Sequence, residues 1–286
     1  MTPKASNRVI YLQNLNKVID YIHTHLEEKI DIKTLADISC FSPFHFHRIT
    51  RALLNEPIGA YIARSRVETA AKMLGYSSDN IEKIAYSVGF ETPSSLSKAF
   101  KQHFGISPSN YRKNKKITIK NPDTMKTKLQ IKKPKIATIE DKQCIYYRMH
   151  GAYQTLDYAN AWGALWEEVK RQKLFTAGIE SIGQSHDDPN VTDEKKIRYD
   201  ACLVIHIDAK PNGDVGTKTL KGGRFAIFQY QGSYTNFPEV YDYIFNEWLM
   251  DNDYELRDES VRERYRNDPR RTEEAKLKTD IYLPIK

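Results

Sequence analysis

The chain has 286 residues, of which 40% are hydrophobic, enough for about two cored domains and too apolar for a disordered protein. Its formal charge of +7 is lopsided: residues 1–120 hold 18 Lys and Arg against 10 Asp and Glu, and residues 121–286 hold 26 against 27. Three scattered cysteines (Cys40, Cys144, Cys202), with no apolar leader and no run of 18 apolar residues, exclude a disulfide scaffold and a membrane-spanning chain, so the expectation is a cytoplasmic protein with no membrane partner.

Residues 1–7 read as an unstructured lead-in. From Arg8 to Glu28, Val9, Leu12, Leu15, Ile19, Ile22 and Leu26 recur three and four apart, the stripe of one amphipathic helix. A pattern then appears twice: IKTLADISCFSPFHFHRITRALL from Ile32 and IEKIAYSVGFETPSSLSKAFKQHF from Ile81. Each copy predicts a short helix, a tight turn and a second helix. Asp31 and Ser42 are in position to cap the helices of the first copy, with Pro43 at a first helical position. Gly89 supplies the turn of the second copy, where a residue without Cβ tolerates positive φ; Cys40 occupies that place in the first. Between the copies, Pro57 to Gly75 reads as a long helix with Ile58, Ile62, Val67, Ala70, Ala71 and Leu74 inward.

Two tandem helix-turn-helix units in a basic half point to double-stranded DNA as partner. Phe46, Ile49 and Leu53 face inward in the first copy, and Leu96 and Phe100 in the second. That leaves Phe44, His45, His47, Arg48 and Arg51, then Ser94, Ser97, Lys98 and Lys101, toward the groove. Arg48 and Lys98 hold matching positions and are expected at base edges, where Arg and Lys pair with guanine. Arg51 and Lys101 are expected on phosphate. Phe44 reads equally as a core aromatic. His45 and His47 lie about 200° apart on a helix, so no joint metal site is expected. Over residues 8–112, and most of all in IAYSVGFETPSSLSKAFKQHFGISPSNYR, the chain resembles the AraC/XylS family of bacterial transcription regulators. The resemblance implies DNA contacts from Phe44, His47, Arg48, Ser94, Ser97 and Lys98.

Lys113 to Thr124 reads as a linker. Beyond it, over residues 125–286, the texture changes to strands (KLQIKKPKIATIE, QCIYYRMHG, and RYDACLVIHID closing near Asp208) around a helix at Thr155–Lys173 with Ala159, Trp162, Leu165 or Trp166, and Val169 inward. This half repeats too: HGAYQTLDYANAWGALWEEV from His150 matches QGSYTNFPEVYDYIFNEWLM from Gln231, and Asp200 in RYDACLVIHI matches Asp280 in KTDIYLPIK. The expected fold is therefore an all-α tandem helix-turn-helix domain, then an α+β domain of two strand-helix-strand-strand repeats about a twofold, their sheets forming a concavity. Aromatics are dense here. Tyr153, Trp162, Trp166, Tyr199, Trp248, Tyr282 and the carboxylate of Asp280 are the candidate ligand set, since aromatic faces and a buried acid both attract organic cations. HGAY, QGSY, YDACLVI and TDIYLPIK resemble the GyrI-like effector-binding domain, also found in multidrug-sensing regulators. The pair of domains resembles Rob-type members of the AraC family, and the family's acidic residue near the last strand maps to Asp280.

The function expected is sequence-specific DNA binding coupled to sensing of a small cationic or amphipathic effector. An alternative leaves the second domain as a module for RNA polymerase or a topoisomerase, and another as a hydrolase using Asp280 with Tyr153 or Tyr282. No H-E-x-x-H, nucleophile elbow, phosphate loop or Cys-His arrangement supports an enzyme, so no catalytic residue, no cofactor and no metal are expected.

Overall fold

The computed structural model describes residues 7–118, 129–189, 191–249, 251–252, 254–257 and 259–286, the side chains of 7–9, 43–44, 115–118 and 246 excepted. The chain divides into two units, residues 1–120 and 121–286. Most of the lead-in and the second half of the expected linker lie outside the described residues.

The first unit is helical. α1 (Asn7–Thr24) buries Leu15, Val18, Ile19 and Ile22 against α2 (Ile32–Ile38) and α3 (Pro43–Leu54), with Leu35, Ala36 and Phe46 completing that core. Val18 joins the stripe read from the sequence. α4 (Ile58–Tyr76) packs against α3 and against α5 (Ile81–Ser87), α6 (Pro93–Phe104) and α7 (Pro108–Thr118), so one helix links both repeats. α7 extends through the first residues of the expected linker. Ser42 caps α3 as expected, accepting a hydrogen bond from His45 N, and Asn80 and Thr92 likewise cap α5 and α6, accepting from Lys83 N and Ser95 N. Asp31, the other expected cap, occupies the N-cap position of α2, but its carboxylate accepts no capping hydrogen bond.

The turns between α2 and α3 and between α5 and α6 differ in strain. Both need positive φ, +54° at Cys40 and +81° at Gly89. A Cβ at Gly89 would sit 2.1 Å from Leu26 O, so only glycine fits there. Arg66 fills the space beside it, its guanidinium donating to Leu26 O at 3.0 Å and Glu28 O at 2.7 Å. Cys40 instead carries a side chain through the left-handed region, at a cost of about 1 kcal/mol.

The second unit is built on one antiparallel sheet. Its strands are β1 (Gln130–Ile131), β2 (Lys135–Ile139), β3 (Lys142–His150), β4 (Ser181–Ser185), β5 (Arg198–Val204), β6 (Val215–Leu220), β7 (Gly223–Gln231), β8 (Val261–Tyr265) and β9 (Lys278–Pro284). The order is β1-β7-β9-β8-β4-β5-β3-β6, with β2 also on β7. α8 (Tyr158–Arg171) follows β3, and α9 (Phe237–Asp242), which continues as a π-helical turn to Trp248, follows β7. Each repeat is thus strand, helix, strand, strand. The two repeats do not make separate sheets about a concavity: β4 and β8 pair directly and merge them. Gly183 faces Glu263 in that pairing. The two are also equivalent in the repeat, being separated as Asp200 is from Asp280, so the local twofold passes between them.

Several local expectations shift by a residue or a turn. Ala161 is buried on α8 and Ala159 is exposed, with Leu165 and Val169 inward as expected. β5 ends at Val204, short of Asp208. β4 and β8 carry no periodic apolar signal, because a strand in the middle of a sheet can be held by neighbours on both sides whatever its own alternation.

Candidate functional sites

α3 and α6 present matching faces. Phe46 and Thr50 on α3, and Leu96 and Phe100 on α6, are buried, which fixes the rotation of each helix. His45, His47, Arg48 and Arg51 are thereby exposed on α3, as are Ser94, Lys98 and Lys101 on α6, with Ser97 half-buried among them. The side chain of Phe44 lies outside the described residues. Ile49 and Leu53 are half-buried, so the inward face of α3 rests on Phe46 and Thr50; the Thr50 hydroxyl donates to Phe46 O at 2.7 Å and needs no water. Each helix starts on a capped turn and exposes two basic side chains, the arrangement required of a major-groove reader.

In the second unit, side chains alternate between the two faces of the sheet, and the register sorts the expected ligand set. Glu263, opposite Gly183 and Ile281, shares its face with Tyr199, Tyr265 and Phe228, and with the helices. Glu263 is 2% exposed. Ser185 Oγ donates to its Oε1 at 2.9 Å, and Tyr241 Oη donates to the same oxygen. Oε2 has no hydrogen-bond partner among the described residues. Burial pushes the carboxyl pKa up to about 7, with the Tyr241 and Ser185 hydroxyls opposing the rise. Gly183 is what makes room: a Cβ there would lie 2.1 Å from Tyr199 Oη and 2.7 Å from Glu263 Oε2.

Rings surround this carboxylate. Tyr199 and Tyr265 share a hydrogen bond at 2.7 Å. Tyr153 and Tyr158 stand edge-on to Tyr199 at 6.2 and 5.2 Å between centroids, and Trp162 and Tyr234 lie 5.9 and 5.3 Å from Tyr265. Tyr153 Oη donates to Asp187 O at 2.7 Å, which pins that ring. Among the described residues no Lys or Arg ion-pairs with Glu263.

Of the expected ligand set, the structure therefore brings Tyr153, Trp162 and Tyr199 together. Trp248 lies edge-on to Phe228 at 4.9 Å and stacks on Tyr254, Phe228 being on the Glu263 face. Trp166 is 37% exposed and stacks on Phe175. Asp280 and Tyr282 occupy the opposite face of the sheet, because they alternate with Ile281, so Asp280 is not the carboxylate among these rings. Glu263, Tyr241, Tyr265, Tyr158 and Ser185 escaped the sequence reading. VRERY looks like a charged surface segment, and the one available signal was the repeat itself, which aligns Glu263 with a glycine.

On that opposite face Asp200 is fully buried. Arg148 donates to it twice, Nε to Oδ1 and Nη2 to Oδ2, both at 2.8 Å. Lys218 Nζ and His186 Nε2 also reach Oδ2, the latter at 2.9 Å. Burial alone would raise its pKa; Arg148 and Lys218 override this and hold the carboxyl well below 3.8. Burial takes His186 down to about 4 despite Asp200, so the imidazole is neutral at pH 7.

Comparison with known proteins gives two domain matches: residues 132–286 match a GyrI-like small molecule binding domain, and residues 35–114 a helix-turn-helix domain. The HTH-type transcriptional regulator YbfP of Bacillus subtilis (strain 168) is 33% identical over 102 residues, 36% of this chain and 35% of that protein. The HTH-type transcriptional activator AarP of Providencia stuartii is 30% identical over 123 residues, 43% of this chain and 85% of that protein. The chain thus spans about a third of the first relative's length and most of the second's. A cryo-EM structure of an EcmrR–DNA complex superposes over 90% of this chain and 99% of that one at 16% identity, with a TM-score of 0.48. No helix among the described residues is long and apolar enough to cross a membrane.

Proposed function

This chain belongs to the GyrI-like small-molecule-binding family and joins that domain to an AraC-type helix-turn-helix domain, and we propose that it reads an asymmetric DNA site and senses a hydrophobic organic cation. It is a DNA-binding transcription regulator; the cation is the finer step. The observation that carries it is Glu263, a buried carboxylate with one oxygen unpartnered and no Lys or Arg ion-paired to it among the described residues. An unpaired buried charge is costly, and a ligand cation supplies the missing partner. The surrounding tyrosines and Trp162 offer electron-rich faces to the same charge. A neutral molecule gains neither term, and an anion is repelled.

DNA reading is assigned to α3 and α6. Arg48 and Lys98 are proposed at base edges with His47 and Ser97 beside them, and Arg51 and Lys101 on phosphate. Because the neighbours differ, the two half-contacts prefer different sequences, and one chain reads about two turns of duplex without dimer symmetry.

Two measurements test the proposal. Tetraphenylphosphonium titrated into the full chain should quench tryptophan fluorescence saturably, while neutral tetraphenylmethane-type analogues should not. Glu263→Gln should weaken the cation at least tenfold at pH 8. Equal binding by the variant would remove Glu263 from the site. Selection from a random duplex library, with and without the cation, tests the DNA half: an asymmetric enriched motif is expected, and its absence would overturn the assignment of α3 and α6.

A further inference from the structure

The internal repeat allows one half of the sheet to serve as a control for the other. Asp200 on β5 and Asp280 on β9 are equivalent and both buried, 0% and 6% exposed. Asp200 sits opposite Arg148 in register, and Asp280 opposite Gln229. Lys218 stands beside Cys144 on the next strand; the equivalent place, beside Phe225, holds Ala137. Both internal cations that neutralise the first aspartate are therefore missing from the second; Arg264 stands opposite Asp280 on β8, where the first half has Gln184, but its Nε pairs with Glu180 Oε2 at 3.1 Å. Arg266 approaches, but its Nη1 is 3.6 Å from Asp280 Oδ1, too far for a hydrogen bond, and that oxygen accepts none among the described residues.

Where Arg148 and Lys218 fill the first half, the second half has open space. A cavity of about 300 Å³ has Asp280 in its wall, the amides of Gln229 and Gln231 beside it, and Lys132, Lys278 and Arg266 around it. The last three are exposed, while Asp280 is buried. The volume is at the low end for small-molecule sites, about 300–1,000 Å³. The buried charge in its wall, Asp280, is negative, and the exposed charges, Lys132, Lys278 and Arg266, are positive.

We propose that this cavity is a second ligand site, for a small zwitterion of the amino-acid class, whose ammonium takes the place that Arg148 and Lys218 occupy against Asp200. The ammonium donates to Asp280 Oδ1 and to the glutamine amide oxygens. The ligand's carboxylate lies at the mouth, among Lys132, Lys278 and Arg266. A simple amine meets three cations on its way in, and a simple carboxylate meets Asp280 at the end, so neither half of the ligand is favoured alone. The site lies on the opposite face of the sheet from Glu263 and is independent of the cation proposal.

The test is calorimetric titration of the full chain with 4-aminobutyrate and with glycine, beside propylamine and butyrate as the separated charges. At least one zwitterion should bind tenfold or more tightly than either fragment. Asp280→Asn should weaken that binding at least tenfold. Gln229→Arg, which restores the first half's own occupant, should abolish it and raise the melting temperature. Glu263→Gln should leave it unchanged. Butyrate binding as tightly as the zwitterions, no binding by either zwitterion at millimolar concentration, or unaltered binding in Gln229→Arg would each overturn the proposal.

Discussion

Glu263→Gln has a second consequence, for stability, with a sign opposite to that of most carboxylate mutations. The folded chain holds this carboxyl at about 7 against an ordinary 4.5, because burial disfavours the ion. At about 1.4 kcal/mol for each pH unit, ionising Glu263 in the folded protein costs about 3 kcal/mol more than in the unfolded chain. The folded pKa lies above the unfolded one, so stability is greatest below pH 4.5, declines as pH rises from 4.5 to 7, and is flat beyond. Glutamine keeps the shape and can accept from Tyr241 and Ser185, but it carries no charge. The variant should therefore be more stable than the parent by about 3 kcal/mol at pH 8, and no more stable at pH 4.5. Its melting temperature should rise by about 6–12 °C at pH 8 for a unit of this size. All three tryptophans, Trp162, Trp166 and Trp248, lie in the second unit, so tryptophan fluorescence of the full chain, excited selectively, follows that transition alone. A variant less stable than the parent at both pH values would refute the reasoning, since Glu263 would then be a stabilising partner of its neighbours.

The proposed cation site makes a further prediction from the same carboxyl: below pH 7 the affinity for tetraphenylphosphonium should fall about tenfold per pH unit, measured by fluorescence titration, as the proton competes with the cation. Arg48→Ala and Lys98→Ala should each cost about 1–3 kcal/mol on the selected DNA site and relax preference at one end only, whereas Arg51→Ala should weaken all sequences alike and flatten the salt dependence. At the turns, Gly89→Ala should destabilise the first unit by at least about 3 kcal/mol, the new Cβ meeting a backbone oxygen that cannot retreat, while Cys40→Gly should stabilise it by up to about 1 kcal/mol; denaturant titration followed by circular dichroism distinguishes them. Asp200→Ala should cost about 3–5 kcal/mol by leaving Arg148 and Lys218 buried without a counter-charge. Because Asp200 is held well below 3.8, its contribution is complete above that pH and is lost only as the pH drops through the depressed value, so the variant's deficit should be constant from pH 5 to 8.

How much was legible differs between the two units. In the first, Phe46, Leu96 and Phe100 repeat at helical spacing with capping residues ahead of them. Local rules therefore set the start of each helix and the side it buries, and with them the exposure of Arg48 and Lys98. In the second unit the repeat was visible, and so were β2, β3, β5, β7, β9 and α8, but not the partner of each strand. Asp280 shows the limit. The strand that follows it, from Ile281, is mostly apolar, so it reads as a buried functional acid, and it is buried; which side of the sheet it occupies depends on the alternation of a strand whose two sides are both covered.

By itself the sequence determined the division into a basic helical half and a neutral stranded half, the duplication within each, and the outward faces of α3 and α6. These rest on periodicity, caps and charge counts, which act over a few residues. Only the tertiary structure decided that β4 and β8 join the repeats into one sheet, and that Glu263 rather than Asp280 lies among Tyr199, Tyr265 and Trp162. Nothing local marks VRERY as a central strand. Its place comes from hydrogen bonds to β4 and β9 on either side, and the isolation of Glu263 comes from a glycine eighty residues away that leaves the space for it.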